Sequence, residues 1–361
     1  MRLQLSVAFV LLAGPAYADG VLSMRGAYYK ERSTRVQQPM IDAAFEVGDN
    51  GRVQGHFLVD SITSASAATG AGGLEFTELR YEAGLGYTHT LPRHVKVGAQ
   101  ARFSTESDYT SIYAAGTVEV ALFDQTTTLR ALFGRTSDDI TNGVSVMMGS
   151  LGTPPRSETL ATTLGSLGIT QVLGRRTVAS LTYDLMFLSG YQANIYRVVR
   201  GGSEPVPERV PEERLRHAVA GSLRVYLPTR TTAVASYRFY ADDWGIIGHT
   251  PEARVIQEIV PGLEARARYR YFTQNQADFW QPVYMQSELS DPTVFVTDDE
   301  KLSAFTTHTF GLQLSAAATL IGVGGSWGDL RVDIMVERLL QSNAFGDAWV
   351  GGLGVSVPFA Y

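Results

Sequence analysis

Counted back by twos from its last residue, the chain reads Tyr361, Phe359, Val357, Val355, Leu353, Gly351, Trp349. The intervening positions, Ala360, Pro358, Ser356, Gly354 and Gly352, are small or turn-forming. Period-two alternation predicts a β-strand with one apolar face. A strand that is apolar along a whole face, with no polar tail, leaves an unprotected edge. That edge is tolerable where the strand closes a barrel and its apolar face meets lipid. The alternative is the last strand of a soluble sandwich, and the rest of the chain decides between them.

The first twenty residues read MRLQLSVAFVLLAGPAYADG. Arg2 gives a positive start, Val7 to Ala13 an apolar core, and Ala16-Tyr17-Ala18 a small-x-small cleavage site. This is the pattern of a secretory signal peptide over residues 1–18, with a mature unit over 19–361. No later stretch is apolar for long enough to make a membrane helix. The chain holds no cysteine, which excludes thiolate chemistry and disulfide staples. A net charge of -6 argues against a general nucleic-acid binder.

About sixteen segments of roughly ten residues alternate in hydrophobicity, the first at 22–32 and the last at 349–359. Segments of mixed pattern at 160–172, 254–260 and 305–314 leave fourteen as the alternative count. The connections sort by length. One set is short and rich in Gly, Pro, Asn and Asp: 48–51, 91–94, 124–127, 173–176, 227–230 and 260–262. The other is mostly long: 63–78, 135–158, 189–214, 242–251 and 274–304. Short periplasmic turns and long outer loops are the mark of an up-and-down transmembrane barrel. The connection at 319–329 is too long for its set. The first strand follows the signal peptide closely and no short turn can host a globular insert, so no plug domain is expected.

Face assignment follows from cost, because a charge placed in hydrocarbon costs several kcal/mol and must face the lumen. Leu79, Tyr81, Ala83, Leu85 and Tyr87 alternate with Arg80, Glu82, Gly84, Gly86 and Thr88. Val95 to Phe103 and Ala179 to Phe187 repeat the pattern. Tyr87, Tyr237, Tyr269 and Tyr271 fall near strand ends, as in an aromatic girdle.

Three features could carry chemistry. Arg266, Arg268 and Arg270 stand at every second residue, so they stack on one face of a strand. With Arg238, Arg254 and Glu258 nearby they form a lumen row that either guides anions or is neutralised into a stiffening network. Asp242, Asp243 and His249 share one expected outer loop. Carboxylates with an imidazole could activate water or hold a divalent cation at the rim, or could simply shape the turn. The acidic run 296–301 (VTDDEK) could bind calcium or bridge cations among lipopolysaccharide phosphates, but a solvated loop tip is the default expectation. The loop 274–304, with Trp280, Tyr284 and Phe295, is long enough to constrict the mouth. No catalytic set, metal site or cofactor is expected.

Several stretches resemble an uncharacterised family of proteobacterial outer-membrane proteins, a domain of unknown function. They are Tyr28-Tyr29-Lys30-Glu31 with Ser33-Thr34-Arg35-Val36 and Pro39, then Val59-Asp60-Ser61-Ile62-Thr63. Further on come Asp242-Asp243-Trp244-Gly245-Ile246 with His249-Thr250, and Arg268-Tyr269-Arg270-Tyr271-Phe272 with Gln274, Gln276, Ala277, Asp278 and Phe279. After Asp60 the chain departs from the family's Gly-Ala-Thr-Pro-like turn and reads SASAATGAGG. The resemblance implies a membrane barrel and supplies no substrate or catalytic residue. The last strand also resembles the assembly signal of outer-membrane proteins, with Phe359 and Tyr361 as its aromatics.

The expectation is an all-β, antiparallel barrel in the outer membrane of a Gram-negative bacterium, serving as a porin-like conduit for small polar or anionic solutes. A rim site or an adhesive barrel acting through its loops are the alternatives. Expected partners are membrane lipid and lipopolysaccharide, the barrel-assembly machinery and small solutes. A homo-oligomer is left open.

Overall fold

The computed structural model describes residues 19–65, 75–141, 157–194, 197–199, 201 and 206–359. The expected signal peptide, Tyr361 and the loop stretches 66–74 and 142–156 lie outside the described residues.

The barrel strands are β1 (Gly20–Lys30), β2 (Thr34–Val47), β3 (Gly51–Ala65), β4 (Glu75–Leu91), β5 (Val95–Thr105), β6 (Tyr109–Leu122), β7 (Thr127–Thr141), β8 (Ser157–Gly174) and β9 (Thr177–Gly190). Two short strands, β10 (Val198–Val199) and β11 (Val206–Pro207), pair with each other outside the barrel. The wall resumes with β12 (Glu213–Leu227), β13 (Thr231–Asp242), β14 (Ile247–Val260), β15 (Leu263–Gln274), β16 (Phe305–Ala317), β17 (Arg331–Gln341) and β18 (Ala348–Phe359). Sixteen strands close into one antiparallel barrel, with β18 pairing back onto β1 from Gly20–Phe359 to Lys30–Trp349. The count is sixteen rather than fourteen. Closure satisfies every ladder edge, which a lipid-embedded sheet requires.

The alternation now has a physical meaning. Leu85, Ile112, Phe133, Leu167, Leu312 and Leu353 are all more than half exposed, on the outer wall. Most of their neighbours one position away, such as Gly84 and Gly86, Ser111 and Tyr113, Ser166 and Gly168, or Gly352 and Gly354, face the lumen and are hydroxylated or glycine; Leu132 and Gln313 are the exceptions. A one-residue slip would turn every guanidinium into lipid, so the pattern pins the register. This is an outer-membrane barrel with a lipid-facing apolar exterior. The segments of mixed pattern resolve locally. Leu160 and Leu188 point inward because outer loops lie over them and share a cavity with them. Strand β14 carries a bulge between Glu258 and Val260, which shifts its phase.

The short connections hold at the predicted end. Gly48 (φ 60°) and Gly262 (φ 87°) occupy the left-handed region that a tight turn demands. The overlong connection after β16 is two 3-10 turns, Ala318–Ile321 and Gly325–Trp327.

The outer connections differ most from expectation. The expected loop 242–251 is only a turn at 243–246, because β14 begins at Ile247. Pro251 reads as a turn residue in sequence, yet it sits in β14 opposite Tyr237. It faces β15 at a place where the recorded ladder skips from His249–Thr273 to Glu252–Arg270. A proline without an N–H is tolerated where no ladder bond is asked of it.

Outer loops fold over the mouth and build cores of their own. Val210, Trp244, Ile246 and Ala277 form one buried cluster, and Val199, Tyr284, Leu289 and Val296 another. The acidic run 296–301 is therefore not a solvated tip. Val296 and Thr297 have no exposed surface, and Asp298 and Asp299 each lie 3.2 Å from the buried Arg197 guanidinium. Arg209 ties the same segment down, donating to the carbonyls of Val294 (3.0 Å) and Asp291 (3.0 Å).

Candidate functional site: the lumen wall and its lid

The lumen has two unlike walls. On the β1–β6 side, opposite charges are matched: Arg25 and His56 hold Asp42, Arg102 faces Glu82 at 3.6 Å, and Arg80 holds Asp60 at 2.6 Å. Each cation there meets a carboxylate on the neighbouring strand, so little field is left over.

The β7–β17 wall is different. Arg268 is clamped between Glu252 (2.8 Å) and Glu337 (2.7 Å), and Arg254 also meets Glu252 (2.7 Å). Arg266 donates to the Gln313 amide oxygen at 3.2 Å. Arg270 has no carboxylate within ion-pair distance among the described residues. The same is true of Arg216, which donates to the Met186 sulfur at 3.9 Å, and of Arg238, whose guanidinium stands 5.7 Å from the Tyr240 ring centre. The three-rung row is thus divided: its middle member is neutralised and its ends are not. Glu258 stands apart at the periplasmic mouth, facing Arg230 at 3.8 Å.

Above this wall the lid encloses a cavity of about 500 Å³, lined by Arg214, Arg216, Arg238, Tyr240, Phe272 and Lys301 among others, with Glu208 and Asp299 on its loop side. A second cavity of about 420 Å³ joins Arg130, Asp184, Arg216 and Arg238 lower down. Arg216 and Arg238 line both, so these two guanidiniums stand where the cavities meet. Burial pushes the Glu208 carboxyl above its usual range, although Thr297 and the Asn194 amide bind it.

The Asp242, Asp243 and His249 set is not brought together. Asp242 ends β13 facing inward, where Arg214 (3.0 Å), the Tyr240 hydroxyl (2.7 Å) and the amides of Trp244 and Ile246 all donate to it. It organises the turn. Trp244, at the tip, lies under the Arg214 guanidinium (4.0 Å) and edge-on to Phe279 (5.2 Å). Gly245 (φ 83°) is needed there, because a Cβ would lie 2.2 Å from the Asp278 carboxylate. His249 pairs with Phe239 on the outer wall and bonds Tyr237. Asp243 is exposed and donates its amide to Leu215 O.

One cluster escaped sequence reasoning. Glu78, Glu106 and Asp108 place carboxylate oxygens within 4.8 Å of one another at the outer rim, close enough to share a proton or a divalent cation. Burial, then Glu78 and Glu106, push the Asp108 carboxyl up to about 7. The residues lie on two different hairpins, so no local spacing announces them. Phe359, at the end of β18, closes the ladder against Gly20.

Residues 72–323 match the family described as "Protein of unknown function (DUF3570)". The chain belongs to this family. The match includes the Asp242–Thr250 and Arg268–Phe279 stretches and stops short of those around Tyr28 and Asp60. No curated protein matches. Among solved structures, the outer membrane protein OpdK from Pseudomonas aeruginosa is 11% identical, over 96% of this chain and 100% of that one, with a TM-score of 0.48. A BenF-like porin from Pseudomonas fluorescens Pf-5 is 9% identical over 95% and 99%, at 0.49. OprD of Pseudomonas aeruginosa is 9% identical over 95% of both chains, at 0.47.

Proposed function

We propose that this barrel is a porin-like passage for small anionic solutes. The observation that carries the reading is the run of unpaired lumen guanidiniums, Arg216, Arg238, Arg270 and, bonded only to an amide, Arg266, opposite a wall whose charges are matched. A cation held near a low-dielectric wall without a counterion favours whatever anion enters. The lid covers a cavity at the outer mouth that Arg216 and Arg238 also line, which supports selection by size and charge before the lumen. Arg–carboxylate forks suit solutes that carry carboxylate or phosphate groups.

A rim enzyme is less well supported, because Asp242 is saturated by four donors and His249 lies on the other face of the wall. Swelling of vesicles that contain the purified barrel tests the passage. Small carboxylates should enter faster than neutral sugars of equal size. Equal exclusion of both by the folded protein contradicts the proposal.

A further inference from the structure

Four histidines stand on the outer wall, and each holds Nδ1 against a tyrosine hydroxyl: His89 with Tyr87 (3.0 Å), His217 with Tyr183 (2.8 Å), His249 with Tyr237 (2.6 Å) and His308 with Tyr269 (2.9 Å). In each pair the ring planes are inclined by 26–31°, with centroids 6.1–6.2 Å apart. Tyrosine alone suffices for a girdle, and an imidazole facing hydrocarbon is a cost. The tyrosine satisfies Nδ1, and no hydrogen-bond partner for Nε2 is found among the described residues.

Three of the pairs recur in consecutive outer hairpins and are built alike. The tyrosine lies on the strand that rises to the rim, and the histidine on the strand that descends from it, one diagonal step nearer the rim. Tyr183 pairs with Val219, Tyr237 with Pro251 and Tyr269 with Phe310, and in each case the histidine is two residues before that partner.

They also share one height. His217 is level in the ladder with Ala241, whereas His249 is level with Phe239, two residues lower on β13. His249 is level with Thr273, and His308 with Tyr271, again two residues lower. Two residues of rise across two strand spacings is a slope of about 35°. Strands of such barrels tilt by about 35–45°, so the downward step cancels the tilt. The three imidazoles form a level row around the outer half of the wall, with Arg338 and Trp349, stacked at 4.8 Å, close beyond it.

We propose that His217, His249 and His308 are a row of contact sites for lipid phosphate headgroups in the outer leaflet. A phenol that donates to Nδ1 keeps the ring proton on Nε2, the nitrogen turned away from the phenol. Each pair then offers a fixed N–H donor at the level where phosphates end the hydrocarbon. The tyrosine body remains in the acyl boundary, as amphipathic rings do.

The test uses the full barrel with 15N-labelled histidine, in vesicles of phosphatidylethanolamine and bisphosphorylated lipid A, read by magic-angle-spinning NMR with 31P recoupling. The expected result is loss of Nε2 signal for these three residues. His56, held in the lumen by Asp42 and Glu82, keeps its signal. Single His→Phe changes, which retain a ring on the lipid face, assign each resonance and remove one dephased signal apiece. Three imidazoles that behave like His56 in a folded barrel overturn the proposal. So does equal dephasing by inorganic phosphate alone in dodecyl maltoside, which would make the site one for a free ion.

Discussion

Arg268 reaches Glu337 across a strand that carries no side chain between them. Arg268, Gly311 and Glu337 lie in one ladder row, and a Cβ on Gly311 would come within 2.8 Å of the Glu337 carboxylate. The glycine is what lets a guanidinium on β15 close 2.7 Å on a carboxylate two strands away. Gly311→Val should separate the pair and cost about 1–2 kcal/mol, the scale of one charge-assisted hydrogen bond. Urea unfolding of the vesicle-embedded barrel measures it.

Arg268→Ala is more severe, because it leaves Glu337 without a cation and Glu252 with Arg254 alone. Partly buried pairs that lose one member are destabilised by about 1–3 kcal/mol, less than fully buried ones. Arg270→Ala should leave the unfolding midpoint within about 0.5 kcal/mol of wild type, since no carboxylate depends on it. Equal losses from both changes would mean that the row is one network.

Much of this wall was legible from the chain. Period two placed Leu85 and Arg80 on opposite faces, since hydrocarbon tolerates one and not the other. What the pattern could not show was pairing across strands. Nothing near Arg268 in sequence indicates that Glu337 neutralises it while Arg270 goes free. Pro251 misled for a local reason: it marks a missing ladder bond, which here falls inside a strand. His249 then reads as part of a loop with Asp242, although alternation carried back from Val255 along β14 puts it on the lipid face. The run 296–301 reads as a solvated tip because Arg197, which buries it, is about a hundred residues away.

The lid packs on apolar clusters above the barrel wall. Trp244→Ala empties the cluster with Ile246 and Ala277, and large aromatic deletions in such cores cost about 3–5 kcal/mol. The expected outcome is faster amide exchange over 276–303, with barrel unfolding unchanged.

Asp108 should make the outer rim pH-sensitive. Its carboxyl is raised to about 7 in the folded rim, against 3.8 as the ordinary value, so folding favours the protonated form. Stability is therefore fully present below about pH 4 and is lost as pH rises through 7. Exchange protection at Glu106 to Tyr109 should be greater at pH 5 than at pH 8, and Asp108→Asn should flatten the difference.

Leu85 tests the lipid-facing assignment, being 65% exposed in mid-strand. Leu85→Arg should cost about 2–4 kcal/mol in insertion if it lies near the bilayer midplane. The neighbouring lumen change Gly84→Ser should cost far less.

The free guanidiniums of the lumen are tested most directly by single-channel recording across a salt gradient. Wild type should show a stable conductance whose reversal potential favours anions. Arg216→Ala, Arg238→Ala and Arg270→Ala combined should move that potential toward cations while the barrel stays folded. An unchanged reversal potential in the triple variant, or no conductance from folded wild-type protein, would contradict the account.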